Sequence, residues 1–155
     1  MSVDDKGAAA TGLRRRLEGS GARRWIRALV PLVLYGALIF AISAQSSFKV
    51  RLPRFPHADK VVHATEYAGF GFLAARAVDI LAPRGPLFAA KVAILVGACY
   101  GATDEAHQYF VPRRDADPWD LAADVVGSAL GAGAYLALAV ARSRRRRSPL
   151  AGESP

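Results

Sequence analysis

The sequence predicts an all-α integral membrane protein, a bundle of about four transmembrane helices. Three observations carry this. The chain is 52% hydrophobic yet has a formal net charge of +8, and basic residues sit in blocks at the two ends with apolar runs between. The run from Ala28 to Phe48 contains no charged residue, long enough to cross a hydrocarbon core of about 30 Å as a helix. Pro- and Gly-containing breaks at Pro53, Pro56, Pro83, Gly85, Pro86 and Pro112 cut the rest into segments of similar length. The 155 residues suit one domain. The boundaries predicted are a disordered basic tail over 1–24, a membrane domain over 25–141 and a second disordered basic tail over 142–155.

The N-terminal tail is polar, Gly/Ala-rich and arginine-rich, with room for a short interfacial helix around Leu13–Leu17. Helix one follows over Ala28–Phe48, with Pro31 in its first turn and Trp25 at the interface. A signal peptide is the rival reading, because Ala41-Ile42-Ser43 has a weak small-x-small pattern. The basic region before it is too long for one, and the apolar run exceeds a signal core. Lys49 to Ala58 reads as a loop. Helix two spans Asp59–Leu81 despite His63 and Glu66. Helix three spans Leu87–Tyr109, with Lys91 able to snorkel. Arg113 to Trp119 reads as a polar loop. Helix four spans Pro118–Ala141, and Arg142 and Arg144 to Arg147 follow it.

Four spans put both termini on one side. Of the 21 Lys and Arg residues, only Lys49, Arg51, Arg54, Lys60, Arg113 and Arg114 fall on the other side. The positive-inside rule then predicts the cytoplasmic (inner) membrane, multi-pass, with both termini cytoplasmic. Block charge without interleaved aromatics argues against nucleic acid as a partner, and Arg144–Arg147 read as an anchor on anionic lipid. The lone cysteine, Cys99, reads as a small buried hydrophobe. Gly97-x-x-x-Gly101 and Gly127-x-x-x-Gly131 suit close helix packing.

The polar residues are the informative part. Helical spacing puts Asp59, His63, Glu66 and Tyr67 on one face of helix two. Tyr100, Asp104, His107 and Gln108 form a stripe on helix three, and Asp120 and Asp124 lie on one face of helix four. All three stripes reach the outer end of the bundle. Ionisable groups at membrane depth cost about 2.5–3.5 kcal/mol each, so they mark either a functional site or a buried ion-pair network. The candidates for acid–base or catalytic work are Asp59, His63, Glu66, Asp104, Glu105 and Asp124. The candidates for ligand binding are Lys60, Tyr67, Gln108, Arg113, Arg114 and Asp120. A metal could draw on His63, Glu66, Asp104 and His107, but His-x-x-Glu supplies only two ligands and no second helix repeats it. No metal and no cofactor is assigned. No nucleophile is evident; Thr65 and Thr103 read as hydrogen-bond donors, and His57 as a solvated loop residue.

These same residues resemble the VanZ-like family of small polytopic membrane proteins. Asp59-Lys60-Val61-Val62-His63, with Tyr67 and the apolar tail to Phe70, resembles the family's Asp-Lys-x-x-His stretch. Asp104-Glu105-Ala106-His107-Gln108, running on to Pro112-Arg113-Arg114, resembles Asp-Glu-x-x-Gln…Pro-Gly-Arg. Asp120 to Gly127 resembles Asp-x-x-x-Asn-x-x-Gly. The resemblance covers about residues 30 to 140. Arg113 stands where the family has Gly, and Asp124 where it has Asn. The resemblance implies a multi-span envelope protein, in a family whose founding member is associated with low-level resistance to the glycopeptide teicoplanin. Two functions follow as expectations. One is a protein that binds or acts on an envelope lipid or glycan through its outward polar cluster. The other is a non-catalytic structural or partner-binding protein whose ion pairs fix helix packing. A transporter is a third reading, weakened by four short spans without a repeat.

Overall fold

The computed structural model describes residues 3–45, 57–112 and 117–147, and within them the side chains of 21–45, 57–112 and 117–146. The described residues form four helices: α1 (Val3–Ser43), α2 (Ala58–Leu81), α3 (Pro86–Gln108) and α4 (Pro118–Arg147). The all-α bundle predicted by the sequence is therefore observed, with boundaries within a residue for α2, for α3 and for the start of α4.

The ends of α1 and α4 differ from expectation. The segment predicted as a structureless N-terminal tail is helical from Val3, and α4 continues through the basic block to Arg147. Ala8–Ala10, Leu13, Arg14–Arg16 and Leu17 are good helix formers, as is an arginine run, and no proline interrupts either segment. Once a span is formed, adding residues to its end needs no new nucleation. At its other end α1 stops at Ser43 rather than Phe48. The predicted loop from Lys49 to Pro56 lies outside the described residues.

Gly21–Ser43, Pro86–Gln108 and Pro118–Arg146 are long and apolar enough to cross a membrane. α2 is the exception, because it carries Asp59, Lys60, Glu66, Arg76 and Asp79. It is nevertheless the hub, packing against α1, α3 and α4, whereas α1 touches α3 only lightly. The polar helix is thus the one most enclosed by protein.

Small residues permit that enclosure. A Cβ on Gly71 would collide with the Ser128 backbone, and one on Gly127 or Gly131 with the carbonyls of Ala64 or Ala68. A Cβ on Gly97 would meet the Ser128 side chain, and one on Gly101 would press on Asp124 and Leu121. Both small-residue pairs seen in the sequence are therefore helix contacts. The core is correspondingly fine-grained: Ala74, Ala75, Ala90, Ala93 and Ala132 form one cluster, and Ile39, Tyr67 and Phe70 another.

The outer surface is apolar. Leu34, Leu95 and Leu130 are 66%, 64% and 64% exposed, which suits lipid rather than water. Cys99 lies on this exposed surface of α3, not in the core where the sequence reading put it. Trp25 is exposed at one end, and Tyr109, Phe110 and Trp119 at the other, as expected at two interfaces. From Trp25 to Ser43, α1 rises about 27 Å.

The end of the bundle near Leu81 is closed by arginine. Arg24 Nε donates to the Ile80 carbonyl and Nη2 to the Leu81 carbonyl, both at 2.7 Å. Arg76 Nη1 donates to the Arg27 carbonyl at 2.8 Å. The Arg24 contacts satisfy carbonyls that the C-terminus of α2 leaves bare, and the Arg76 contact satisfies the α1 carbonyl whose partner would be Pro31, which has no N–H. Arg24, placed in the tail by sequence, is part of the bundle.

Candidate functional site

At the opposite end, the first turns of α2, the last turns of α3 and the first turns of α4 come together. Each brings its polar stripe because i, i+3 and i+4 residues share a helix face. The outermost group is organised by Lys60. Its ammonium pairs with Asp59 at 3.0 Å, Asp120 at 2.7 Å and Asp117, joining α2 to α4 and the residue before it. Asp117 Oδ1 also accepts the Trp119 N–H, capping the start of α4. The Lys60 ammonium holds the Asp117 carboxyl below the usual carboxylate range through their hydrogen bond.

One turn deeper, His63 Nδ1 lies 2.9 Å from Asp124 Oδ1, while its Nε2 faces Asp120 Oδ2 at 3.9 Å. Asp124 is fully buried. From α3, Glu105 Oε2 accepts the Asp117 N–H at 2.9 Å, and Gln108 Nε2 donates to Asp104 Oδ2 at 3.0 Å. The buried Tyr67 hydroxyl sits in the field of Asp124, Asp104 and Glu105.

Polar demand exceeds supply here. Tyr67 Oη, Asp104 Oδ1, Glu105 Oε1 and Asp124 Oδ2 are buried without a hydrogen-bond partner in the structure, and each such group carries a desolvation cost on the order of 1–3 kcal/mol. His63, Glu105 and Asp124 each present one ligand-type atom, all within 4.8 Å of one another.

Beside this cluster, a groove of about 650 Å³ opens between α2 and α4. Its lining is apolar at Ala64, Ala122, Ala123 and Val126 and carries His57, Asp59, Lys60, Asp117 and Trp119 nearer the end of the bundle. His57, read as a solvated loop residue, is exposed at the N-cap position of α2 in a left-handed conformation with φ 63°, with no hydrogen bond from its side chain to the helix end.

The sequence-derived candidates Asp59, Lys60, His63, Tyr67, Asp104, Glu105, Gln108, Asp120 and Asp124 are thus brought to one end of the bundle. Glu66 is half-buried, with the Tyr35 phenol of α1 as an electrostatic neighbour. His107 also departs from its predicted stripe, since its ring lies against Phe40 of α1 at 4.4 Å between centroids. Tyr100 likewise donates to the Gly36 carbonyl of α1 at 2.7 Å. Arg113 and Arg114 lie outside the described residues. Sequence reasoning missed Asp117 as a partner of Lys60, although its place just ahead of Pro118 is a recognisable cap position. It also missed Ser128, whose buried hydroxyl faces Gly97.

The three motif stretches that resembled a family on sequence are the three walls of this cluster. No curated protein and no solved structure matches the chain. A family model for VanZ/LLP1 does match, over residues 10–140, which takes in α2 and α3 whole, most of α1 and α4, both small-residue contacts and every described site residue. The chain belongs to the VanZ/LLP1 family.

Proposed function

We propose that the protein binds or acts on a lipid-linked component of the cell envelope, presented from the outer leaflet of the inner membrane to the groove between α2 and α4. The observation that carries this reading is the groove's mixed lining, apolar at Ala64, Ala122, Ala123 and Val126 and polar at His57, Asp59, Lys60 and Asp117 beside the carboxylate cluster. Such a lining suits a ligand with one greasy and one hydrophilic end, and grooves between helices are common ligand sites. The polar part of the lining and the residues behind it are rich in carboxylates, with Lys60 already shared among three of them. This favours a headgroup that donates hydrogen bonds, such as a sugar or a peptidoglycan-related group. An anionic headgroup would depend on Arg113 and Arg114. Placement at the outer leaflet follows from the positive-inside reading, which puts both termini in the cytoplasm. Sensitivity to glycopeptide antibiotics is one phenotype in which to look for this activity, since the family's founding member is associated with teicoplanin resistance.

The test is to extract the protein with its surrounding lipid and identify what it retains by mass spectrometry. Wild type should enrich an envelope lipid with a glycan or peptide headgroup over bulk phospholipid. Ala122→Trp, which fills the groove from an exposed position, should lose the enrichment without a change in melting temperature. Equal lipid profiles for the two proteins would rule the reading out.

A second reading is structural. It is favoured by the way His63–Asp124, Lys60–Asp120 and Glu105–Asp117 tie α2 and α3 to the start of α4. Under it, Asp104→Asn and Gln108→Ala lower stability and leave the envelope phenotype of the folded protein intact. Under the first reading the phenotype is lost and stability is retained.

A further inference from the structure

The deeper part of the cluster holds three buried carboxylates, Asp104, Glu105 and Asp124, and two of them, Glu105 and Asp124, share little positive charge among the described residues. Asp124 is fully buried and Glu105 is 7% exposed. Lys60, the only described ammonium in this cluster, contacts Asp59, Asp117 and Asp120 rather than either of these. Among the described residues, the one cationic-capable group facing them is the His63 imidazole. One oxygen of each acid is satisfied, Asp124 Oδ1 by His63 and Glu105 Oε2 by the Asp117 N–H. The other oxygen of each, Asp124 Oδ2 and Glu105 Oε1, is buried without a hydrogen-bond partner.

These three residues come from three different helices, and one ligand-type atom of each lies within 4.8 Å of the other two. We infer that His63, Glu105 and Asp124 bind one divalent transition-metal ion, Zn²⁺ or Mn²⁺. Bonds of about 2.0–2.2 Å from His63 Nδ1 and two carboxylate oxygens would set these atoms about 3.4 Å apart, with Nδ1 giving up its proton and its hydrogen bond to Asp124 as the metal binds. One imidazole with two carboxylates suits a borderline cation better than Ca²⁺, which wants six or more oxygens, or Mg²⁺, which keeps its waters. Two carboxylates also balance the charge of the ion at a depth where net charge is costly.

Two further features fit. The ring nitrogen of His63 turned away from Asp124 faces Asp120 Oδ2 at 3.9 Å, and Lys60 fixes Asp120 in turn. A carboxylate behind a metal-bound imidazole sets its tautomer and ring orientation. Second, three protein ligands leave a coordination position open for water or a ligand group. The acid at position 124, where the related motif carries Asn, supplies the second negative charge. The site is independent of the groove reading, and metal binding can be measured on protein stripped of lipid.

The experiment uses the full chain in detergent, treated with EDTA, desalted and titrated separately with ZnCl₂, MnCl₂ and MgCl₂. Wild type should bind one equivalent of Zn²⁺ or Mn²⁺ with a higher melting temperature, and MgCl₂ should compete poorly. Asp124→Asn and Glu105→Gln should each weaken binding by about tenfold or more, with metal-free melting temperatures close to wild type. Co²⁺ offers a reading on wild type alone, whatever the variants do: visible bands of a four- or five-coordinate ion support the site. A spectrum of the hexa-aquo type, substoichiometric retention, or binding unchanged by both substitutions would overturn it.

Discussion

Gly131 of α4 rests against the carbonyl of Ala68 of α2, so closely that a Cβ there would overlap it. Gly127 repeats the contact one turn earlier against Ala64. Gly131→Val should therefore push α4 off α2 and cost about 3 kcal/mol or more, seen as loss of monodisperse protein in detergent. Gly133 has open space around its missing Cβ, so Gly133→Ala should be neutral or stabilise by about 0.5–1 kcal/mol. Equal behaviour of the two variants would show that α2 and α4 are not held at this distance.

The His63–Asp124 pair links α2 to α4 at depth. Asp124→Ala strips the imidazole of its acceptor and leaves a void at a fully buried position, at a cost of about 3 kcal/mol. Asp124→Asn keeps a carbonyl for the His63 N–H and should change stability by less than about 1 kcal/mol. Thermal unfolding of the metal-free proteins in the same detergent distinguishes the two. Matching losses for Ala and Asn would mean that charge, not the hydrogen bond, holds the pair.

Lys60 and Asp117 give the bundle an acid-sensitive clasp. The folded Asp117 carboxyl titrates below its ordinary range because of its hydrogen bond to Lys60. Such a group contributes stability above its unfolded pKa and loses that contribution as pH falls through the folded value. Melting temperature should therefore hold from neutral pH to about pH 4 and decline below it. In Lys60→Met the neutral-pH value should be lower and the acid decline shallower. An identical decline in both proteins would assign the acid sensitivity to other carboxyls.

Arg24 closes the other end through two backbone carbonyls of α2. Arg24→Ala should cost about 0.5–1 kcal/mol, while Arg24→Lys, which lacks the fork, should recover only part of it. Hydrogen exchange should show the change concentrated at Val78–Leu81. Uniform change along α2 would argue against a cap.

Orientation has its own check. A reporter that is active only outside the cytoplasm should work when fused at Asp115 and fail at Gly85. The opposite pattern would invert the bundle and place the polar cluster on the cytoplasmic face.

Helix number, helix order and the meeting of three polar stripes were legible in the sequence, because Pro and Gly mark the breaks and the charged residues fall at helical spacing. Which way each side chain faces was less legible. In water, an apolar face means the core, but in lipid apolar residues lie on both sides of a helix, so Cys99 could not be placed by its neighbours. His107 and Glu105 are two residues apart on α3 and thus roughly opposite in azimuth. Spacing alone grouped His107 with Asp104, yet the structure turns it to Phe40 and leaves Glu105 to join His63 and Asp124. The extent of α1 and α4 was misjudged because Arg- and Gly-containing segments look structureless on composition, whereas the Ala, Leu and Arg residues in them favour helix and extend a span without new nucleation despite the glycines.

The polarity of α2 also bears on how the protein is made. A segment carrying Asp59, Lys60, Glu66, Arg76 and Asp79 partitions poorly into lipid on its own. Its stay in the bilayer depends on α1 before it and on α3 and α4, which are synthesised later. A ribosome that stalled after Leu81 would leave α2 without two of its three neighbours. Substitutions at Gly131 or Asp124 on the last helix are therefore expected to loosen α2 in the membrane as well as α4.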